Sequence, residues 1–262
     1  MVYITGDTHG DFSRFGKFCR RNTVTEDDVV IVLGDAGLNY FGDGRDNAAK
    51  ESASQYGFTL FCVHGNHELR PASLPSYGMR EFCGGEVWFE ESFPRLLFAR
   101  DGDLYRLGGH DCVVIGGAYS VDKYTRLLRG LRWFEDEQAS DEIKRRVEQR
   151  LENIGQSVDA VLSHTCPLKY EPTEVFMTGL DQSRIDKTTE RWLDEIESRL
   201  TYRRWYCGHY HTCKMIGRMR FMFWDIDVFD PDKTTADGVY DEMPGCLRHA
   251  RRNNYAGIDR CN

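Results

Sequence analysis

Five short segments of the sequence present side chains suited to binding metal ions. GDTHG carries Asp7 and His9, LGD carries Asp35, and HGNHE carries Asn66, His67 and Glu68. His164 stands alone after VLS, and GHYH carries His209 and His211. Asp, Asn and His supply mixed oxygen and nitrogen donors, a set that suits Mn²⁺, Fe, Zn²⁺ or Mg²⁺, with Mn²⁺ favoured. Two acids (Asp7, Asp35), one amide (Asn66) and four imidazoles (His9, His164, His209, His211) are too many for one tetrahedral ion. Two ions about 3.5–4 Å apart, sharing one carboxylate and a water, would use them all. In extended chain, residues i and i+2 point the same way, so Asp7 with His9, and His209 with His211, each offer two donors in one direction. Two dications less two carboxylates and one hydroxide leave a charge of about +1, which favours an anionic substrate.

Such donors converge only if the fold brings five segments to one place. Each follows an apolar run: Val2 to Thr5, Val29 to Leu33, Phe58 to Val63, Val158 to Ser163, and Thr201 to Tyr206. All five read as strands, with helices expected over Asp11 to Arg21, Arg45 to Tyr56, Glu135 to Asn153 and Lys187 to Leu200. Ile143, Val147, Leu151 and Ile154 form the inner stripe of the third of these. In open α/β sheets, sites form beyond the carboxyl ends of strands, where all five segments lie. The runs Val87 to Phe89, Leu96 to Ala99, Leu104 to Leu107 and Cys112 to Ile115 read as meandering strands. Lys214 to Trp224 reads as a hairpin turning at Gly217. The expected organisation is one layered α/β domain over residues 1–229 and a tail, 230–262, surface-packed or loosely ordered.

Composition narrows the class. The 262 residues are 40% hydrophobic and 29% charged, with a formal charge of −8. That charge argues against a broad basic surface for nucleic acid, which enters only as a possible substrate. No apolar run approaches the roughly 20 residues that span a bilayer. The opening MVYITGDTHG does not read as a secretory signal, and nine scattered cysteines without a CxxC pair read as reduced thiols, so a cytoplasmic location is expected.

The ordered set GD-x-H-G, GD, GNHE, lone His and GH-x-H, spanning Gly6 to His211, resembles the calcineurin-like metallophosphoesterases. The resemblance implies a sandwich of two β-sheets flanked by helices, with a dinuclear site at one end. It implies one metal on Asp7, His9 and His211, a second on Asn66, His164 and His209, and Asp35 bridging them. His67 would protonate the leaving oxygen, since an imidazole titrating near neutral pH can do so. Glu68 is a candidate to orient or polarise His67. The implied reaction is hydrolysis of a phosphate ester, first of all a monoester of a phosphoprotein or small molecule. The alternatives are a phosphodiesterase or nuclease using a groove with Arg126, Arg129 and Arg132, a dinucleoside-polyphosphate hydrolase, and a non-catalytic interaction module.

The sequence departs from that family's phosphatase branch after Asp35. Where the branch has valine-aspartate-arginine-glycine, this chain has Ala36, Gly37, Leu38, Asn39 and Tyr40. The acid that supports the catalytic His and the Arg that grips phosphate are missing there, with Asn39, Asp43 and Arg45 as candidate replacements. The loop Gly116 to Gly130 brings Tyr119, Lys123 and Arg126 as candidate substrate contacts. His64 reads as structural, His110 and His249 as surface residues, and Cys166 and Cys207 as neighbours of the site.

Overall fold

The computed structural model describes residues 1–179 and 181–233. In chain order the strands and helices are β1 (Val2–Thr5), α1 (Ser13–Arg21), β2 (Val29–Val32), α2 (Asn47–Ser54), β3 (Thr59–Cys62), β4 (Gly78–Phe82), β5 (Gly85–Glu90) and β6 (Phe93–Ala99). They continue with β7 (Leu104–Leu107), β8 (His110–Ile115), α3 (Lys123–Leu128), α4 (Asp141–Asn153), β9 (Ala160–Ser163), α5 (Thr188–Arg199) and β10 (Arg204–Cys207). The last are β11 (Lys214–Ile216), β12 (Met219–Phe221) and β13 (Ile226–Val228).

Side-chain alternation along the central strands explains the layering. On β2, Ile31 turns to one hydrophobic cluster and Val30 and Val32 to another. On β8, Cys112 and Val114 face the first cluster while Val113 and Ile115 face a third. Period-two alternation with both sets apolar means that each sheet is buried on both faces. The shared cluster is the interface between the two sheets, joining Ile4, Ile31 and Phe61 to Val114, Leu162 and Tyr206. Phe12 before α1, Phe15 of α1 and Ala53 of α2 cover the outer face of one sheet. Val147 and Leu151 of α4, with Leu193 and Ile196 of α5, cover the outer face of the other. The result is an α/β/β/α sandwich.

The first sheet has the order β13-β1-β2-β3-β6-β5-β4 and the second β11-β12-β10-β9-β8-β7. The strands carrying the candidate ligands are parallel neighbours: β1, β2 and β3 in one sheet, β9 and β10 in the other. Their carboxyl ends therefore emerge on one side.

The structure departs from the expected elements in places. The helix expected from Glu135 begins at Asp141, where the Ser140 side chain accepts a hydrogen bond from the Ile143 amide. The residues before it serve a different purpose, because Glu137 receives the amides of Ala118 and Ser120 through its carbonyl and its carboxylate. The expected loop Gly116 to Gly130 contains the short helix α3, and strands β4 and β13 lie outside the expected elements. The hairpin at Gly217 is present, with β11 antiparallel to β12. Residues 234–262, most of the expected tail, lie outside the described residues, as does His249. Among the described residues no helix is long and apolar enough to cross a membrane.

Candidate dinuclear metal centre

The five motifs meet at the carboxyl ends of β1, β2, β3, β9 and β10. Asp7 and Asp35 are buried, as are Asn66 and His164. The His9 and His211 side chains keep 34% and 37% of their exposure, so they form a rim above a closed floor. The ligand atoms of Asp7, His9 and His211 lie within 4.8 Å of one another, and so do those of Asp7, Asp35 and His164. Asn66 Oδ1 is 2.8 Å from His164 Nε2 and 2.9 Å from His209 Nδ1. Asp35 Oδ2 sits between the groups, 3.9 Å from His9 Nδ1 and 3.7 Å from His164 Nε2.

The backbone is bent to achieve this. Among the described residues six non-glycine residues have positive φ, and four of them are His9, Asp35, His209 and His211. Each such conformation costs about 1–3 kcal/mol and persists where the surroundings over-determine it. Two glycines permit the close approach. A Cβ on Gly65 would lie 2.0 Å from Asp35 Oδ1, and one on Gly208 would lie 2.2 Å from Asp7 Oδ1. Asp35 Oδ1 accepts the amides of Asn66 and His67 at 2.7 and 2.8 Å, and Asp7 Oδ1 accepts the His209 amide at 3.0 Å. The inner oxygens thus fix the loops and leave the outer oxygens for a ligand. Arg14, which sequence reasoning missed, ties the first turn down by donating to the carbonyls of Asp7 (2.6 Å) and Phe223 (2.5 Å).

The donor set fits divalent cations. Among the described residues Asp7 Oδ2 is buried without a well-aligned hydrogen-bond partner, although His211 Nε2 lies 3.2 Å away. His9 Nε2 and His211 Nε2 face each other at 3.0 Å, a contact in which at most one can donate. Burial pushes the Asp7 carboxyl up, but the imidazoles of His211 and His164 outweigh it and hold the group at about 2. The same contest at Asp35, won by His164, His67 and His9, holds it well below the usual carboxylate range. Exclusion of water, with His164 nearby, brings His209 down to about 3. At neutral pH the acids are therefore anionic and His209 neutral, the forms that bind metal.

A cleft of about 240 Å³ opens over this floor, lined in part by His9, Asn66, His67, Tyr119, Asp122 and Arg126. Among the described residues His67 Nδ1 is buried without a partner, as is Asp122 Oδ1. Burial lowers the His67 pKa, while the carboxylates of Asp35 and Asp122 act in the opposite direction. Arg126 donates Nε to the Arg132 carbonyl, Nη1 to Asp122 and Nη2 to the Tyr40 hydroxyl. One N–H on each Nη is left for a ligand.

Several expected residues are placed elsewhere. Glu68 is not turned to His67: its carboxylate accepts the amides of Ala36, Gly37 and Gly65, tying the second and third loops together. Lys123 is not among the residues lining the cleft; its ammonium lies 3.7 Å from the centre of the Trp133 ring. Asn39 is buried and receives the Tyr77 hydroxyl, while Asp43 and Arg45 pair with each other at the surface. None of those three lines the cleft. Asp122 went unrecognised, although its spacing four residues before Arg126 offered the hint of a paired acid and base. Arg126, Arg129 and Arg132 form no basic groove here, because Arg126 alone of the three lines the cleft and Arg132 donates to the Phe41 carbonyl. His64 is buried, with neither ring nitrogen hydrogen-bonded among the described residues. His110 is half-buried with its ring against Phe229, not a free surface residue. Burial keeps the Cys207 thiol protonated, which disfavours it as a ligand.

The sequence profile of the calcineurin-like phosphoesterases matches residues 1–213. The chain belongs to that family. This phosphoesterase is therefore a hydrolase acting on ester bonds, with candidate metal-binding residues at its centre. No curated protein matches it. Solved structures with a similar chain path include TT1561 of Thermus thermophilus, 14% identical, covering 85% of this chain and 87% of that one with a TM-score of 0.45. Another is the phosphopantetheinyl hydrolase of Mycobacterium tuberculosis, 16% identical, covering 90% and 98% with a TM-score of 0.48.

Proposed function

We propose that this phosphoesterase hydrolyses a phosphomonoester of a small molecule at a centre of two divalent ions, with Mn²⁺ the favoured metal. The observation that carries this reading is the convergence of seven donor side chains at one place, where His9, Asn66, His209 and His211 line a cleft together with His67 and Arg126. Asp7, His9 and His211 would hold one ion, Asn66, His164 and His209 the other, and Asp35 both. When bound, such a pair lowers the pKa of water and polarises the phosphate for in-line attack.

The chain's own groups supply the rest. The two free N–H groups of Arg126 bind non-bridging phosphate oxygens and turn the ester so that its leaving oxygen faces His67. His67 gives that oxygen a proton. The carboxylate of Asp122 favours the charged imidazole and fills the role of the acid missing after Asp35. Tyr119 borders the substrate.

The monoester is preferred because Arg126, Arg129 and Arg132, which would have favoured a nucleic-acid strand as a groove, build none beside the donors. Hydrolysis of p-nitrophenyl phosphate and bis-p-nitrophenyl phosphate by Mn²⁺-loaded protein tests the reading. Metal-dependent turnover with the monoester preferred is expected; a preference for the diester would overturn the monoester assignment, and no turnover of either would overturn the enzyme reading.

A further inference from the structure

The cleft has two kinds of lining. Beside the donors stands an apolar wall of Tyr119, Val175, Phe176, Met177, Ile185 and Tyr210, the Tyr210 ring meeting that of His209. Val175 and Met177 are 40% and 43% exposed at this wall, unusual apolar exposure beside a site built of charges. Tyr210 is locked in place: its ring meets Phe221 edge-on, and its hydroxyl contacts Thr165 and donates to Glu171. With both polar partners behind it, Tyr210 offers the cleft its ring. The Phe176 ring lies nearly parallel to it, centroids 6.3 Å apart and planes 16° apart.

The polar residues bordering this wall disfavour a second negative charge. Asp186 and Glu190 are acids, and Lys187 is already paired with Glu171 at 2.5 Å. Asp186 is held anionic, its burial outweighed by hydrogen bonds from Thr188 and Gln138. A distal phosphate or a nucleic-acid backbone would meet these acids. An uncharged apolar group would meet the rings and methyl groups of the wall without that repulsion. The cleft volume of about 240 Å³ gives room for one ring beside the donors.

Resting on the phosphomonoesterase reading above, we propose that this wall selects esters whose alcohol carries an uncharged apolar group of about the size of one ring. The donors and Arg126 take the phosphate end, and Phe176 and Tyr210 take the other.

The test compares 2-phenylethyl phosphate with ethyl phosphate, esters of primary alcohols of similar acidity, on the metal-loaded full chain. The proposal expects kcat/KM to favour the phenylethyl ester by about tenfold or more, the value of removing a ring face from water. Phe176→Ala should collapse that ratio by lowering kcat/KM for the phenylethyl ester. Met177→Ser, at a more exposed position, should reduce the ratio should Phe176→Ala fail to fold. Calorimetric binding of 2-phenylethylphosphonate against ethylphosphonate reads the same wall without turnover, so a failure of the enzyme reading stays separate from a failure of this one. A ratio near one in binding and turnover, or a ratio that survives both substitutions, overturns the proposal.

Discussion

Among single side chains, burial and neighbours set the division of labour more than residue type does. His67 and His164 are both histidines near Asp35. His164 is pinned between the Leu33 carbonyl and Asn66, whereas His67 has a ring nitrogen without a partner among the described residues and lines the cleft. His67→Ala should keep the metal content and slow turnover by about 10²–10⁴, as expected on losing a general acid. The loss should be large for alkyl phosphates and small for p-nitrophenyl phosphate, whose leaving group needs no proton. Equal losses on both, or loss of metal, would contradict that role. Asp122→Asn should follow the same leaving-group pattern to a smaller degree. Asp35→Asn removes the charge central to both donor groups and should weaken both ions together, as read by metal analysis after dialysis. That these seven candidate donors come together was legible because each follows a strand in a motif with a small residue. Arg14 was not, because it reaches the site from a helix with no local pattern to mark it, and Asp122 offered only its spacing from Arg126.

The loops that carry these side chains are held by buried polar bonds. Glu68 is the clearest case: one carboxylate satisfies three amides from two loops. Burial, together with Asp35, raises its pKa to about 8 in spite of those amides. Glu68→Ala would leave buried N–H groups unsatisfied at about 1–3 kcal/mol each. We expect a variant with a lower Tm that also binds metal poorly, because the loops bearing Asp35 and Asn66 lose their tie. A variant that keeps stability and metal but loses only turnover would restore the expected link to His67. The same reasoning explains which elements were hard to read. The residues of β4 are mostly exposed and those of β13 lie at a sheet edge, so backbone pairing holds them and no hydrophobic period announces them. The central strands, buried on both faces, were plain. The start of α4 was misplaced because the charged run before it continues the helical composition, while Glu137 is committed to the loop after β8.

Across the whole molecule, the sandwich aligns five strand ends and so gathers the candidate metal donors within a protein of charge −8. It also buries acids that affect stability. Glu190, buried beside Thr165, has its pKa raised by burial to about 7 from 4.5. A raised folded-state pKa gives stability that is complete below about pH 4.5 and is lost as pH rises through 7. The shift corresponds to at most about 3 kcal/mol. Thermal unfolding of Glu190→Gln should therefore depend less on pH between 4.5 and 7 than that of the parent, with the variant relatively more stable at pH 8. A parallel pH dependence in both would remove this role.

Metal content per chain, measured after Mn²⁺ reconstitution and exhaustive dialysis at neutral pH, reads the convergence of the seven donors. Two ions per chain, both lost in Asp35→Asn, is the result expected of a floor shared by two donor groups. One ion per chain, or none, would mean that the five strand ends do not build the centre described.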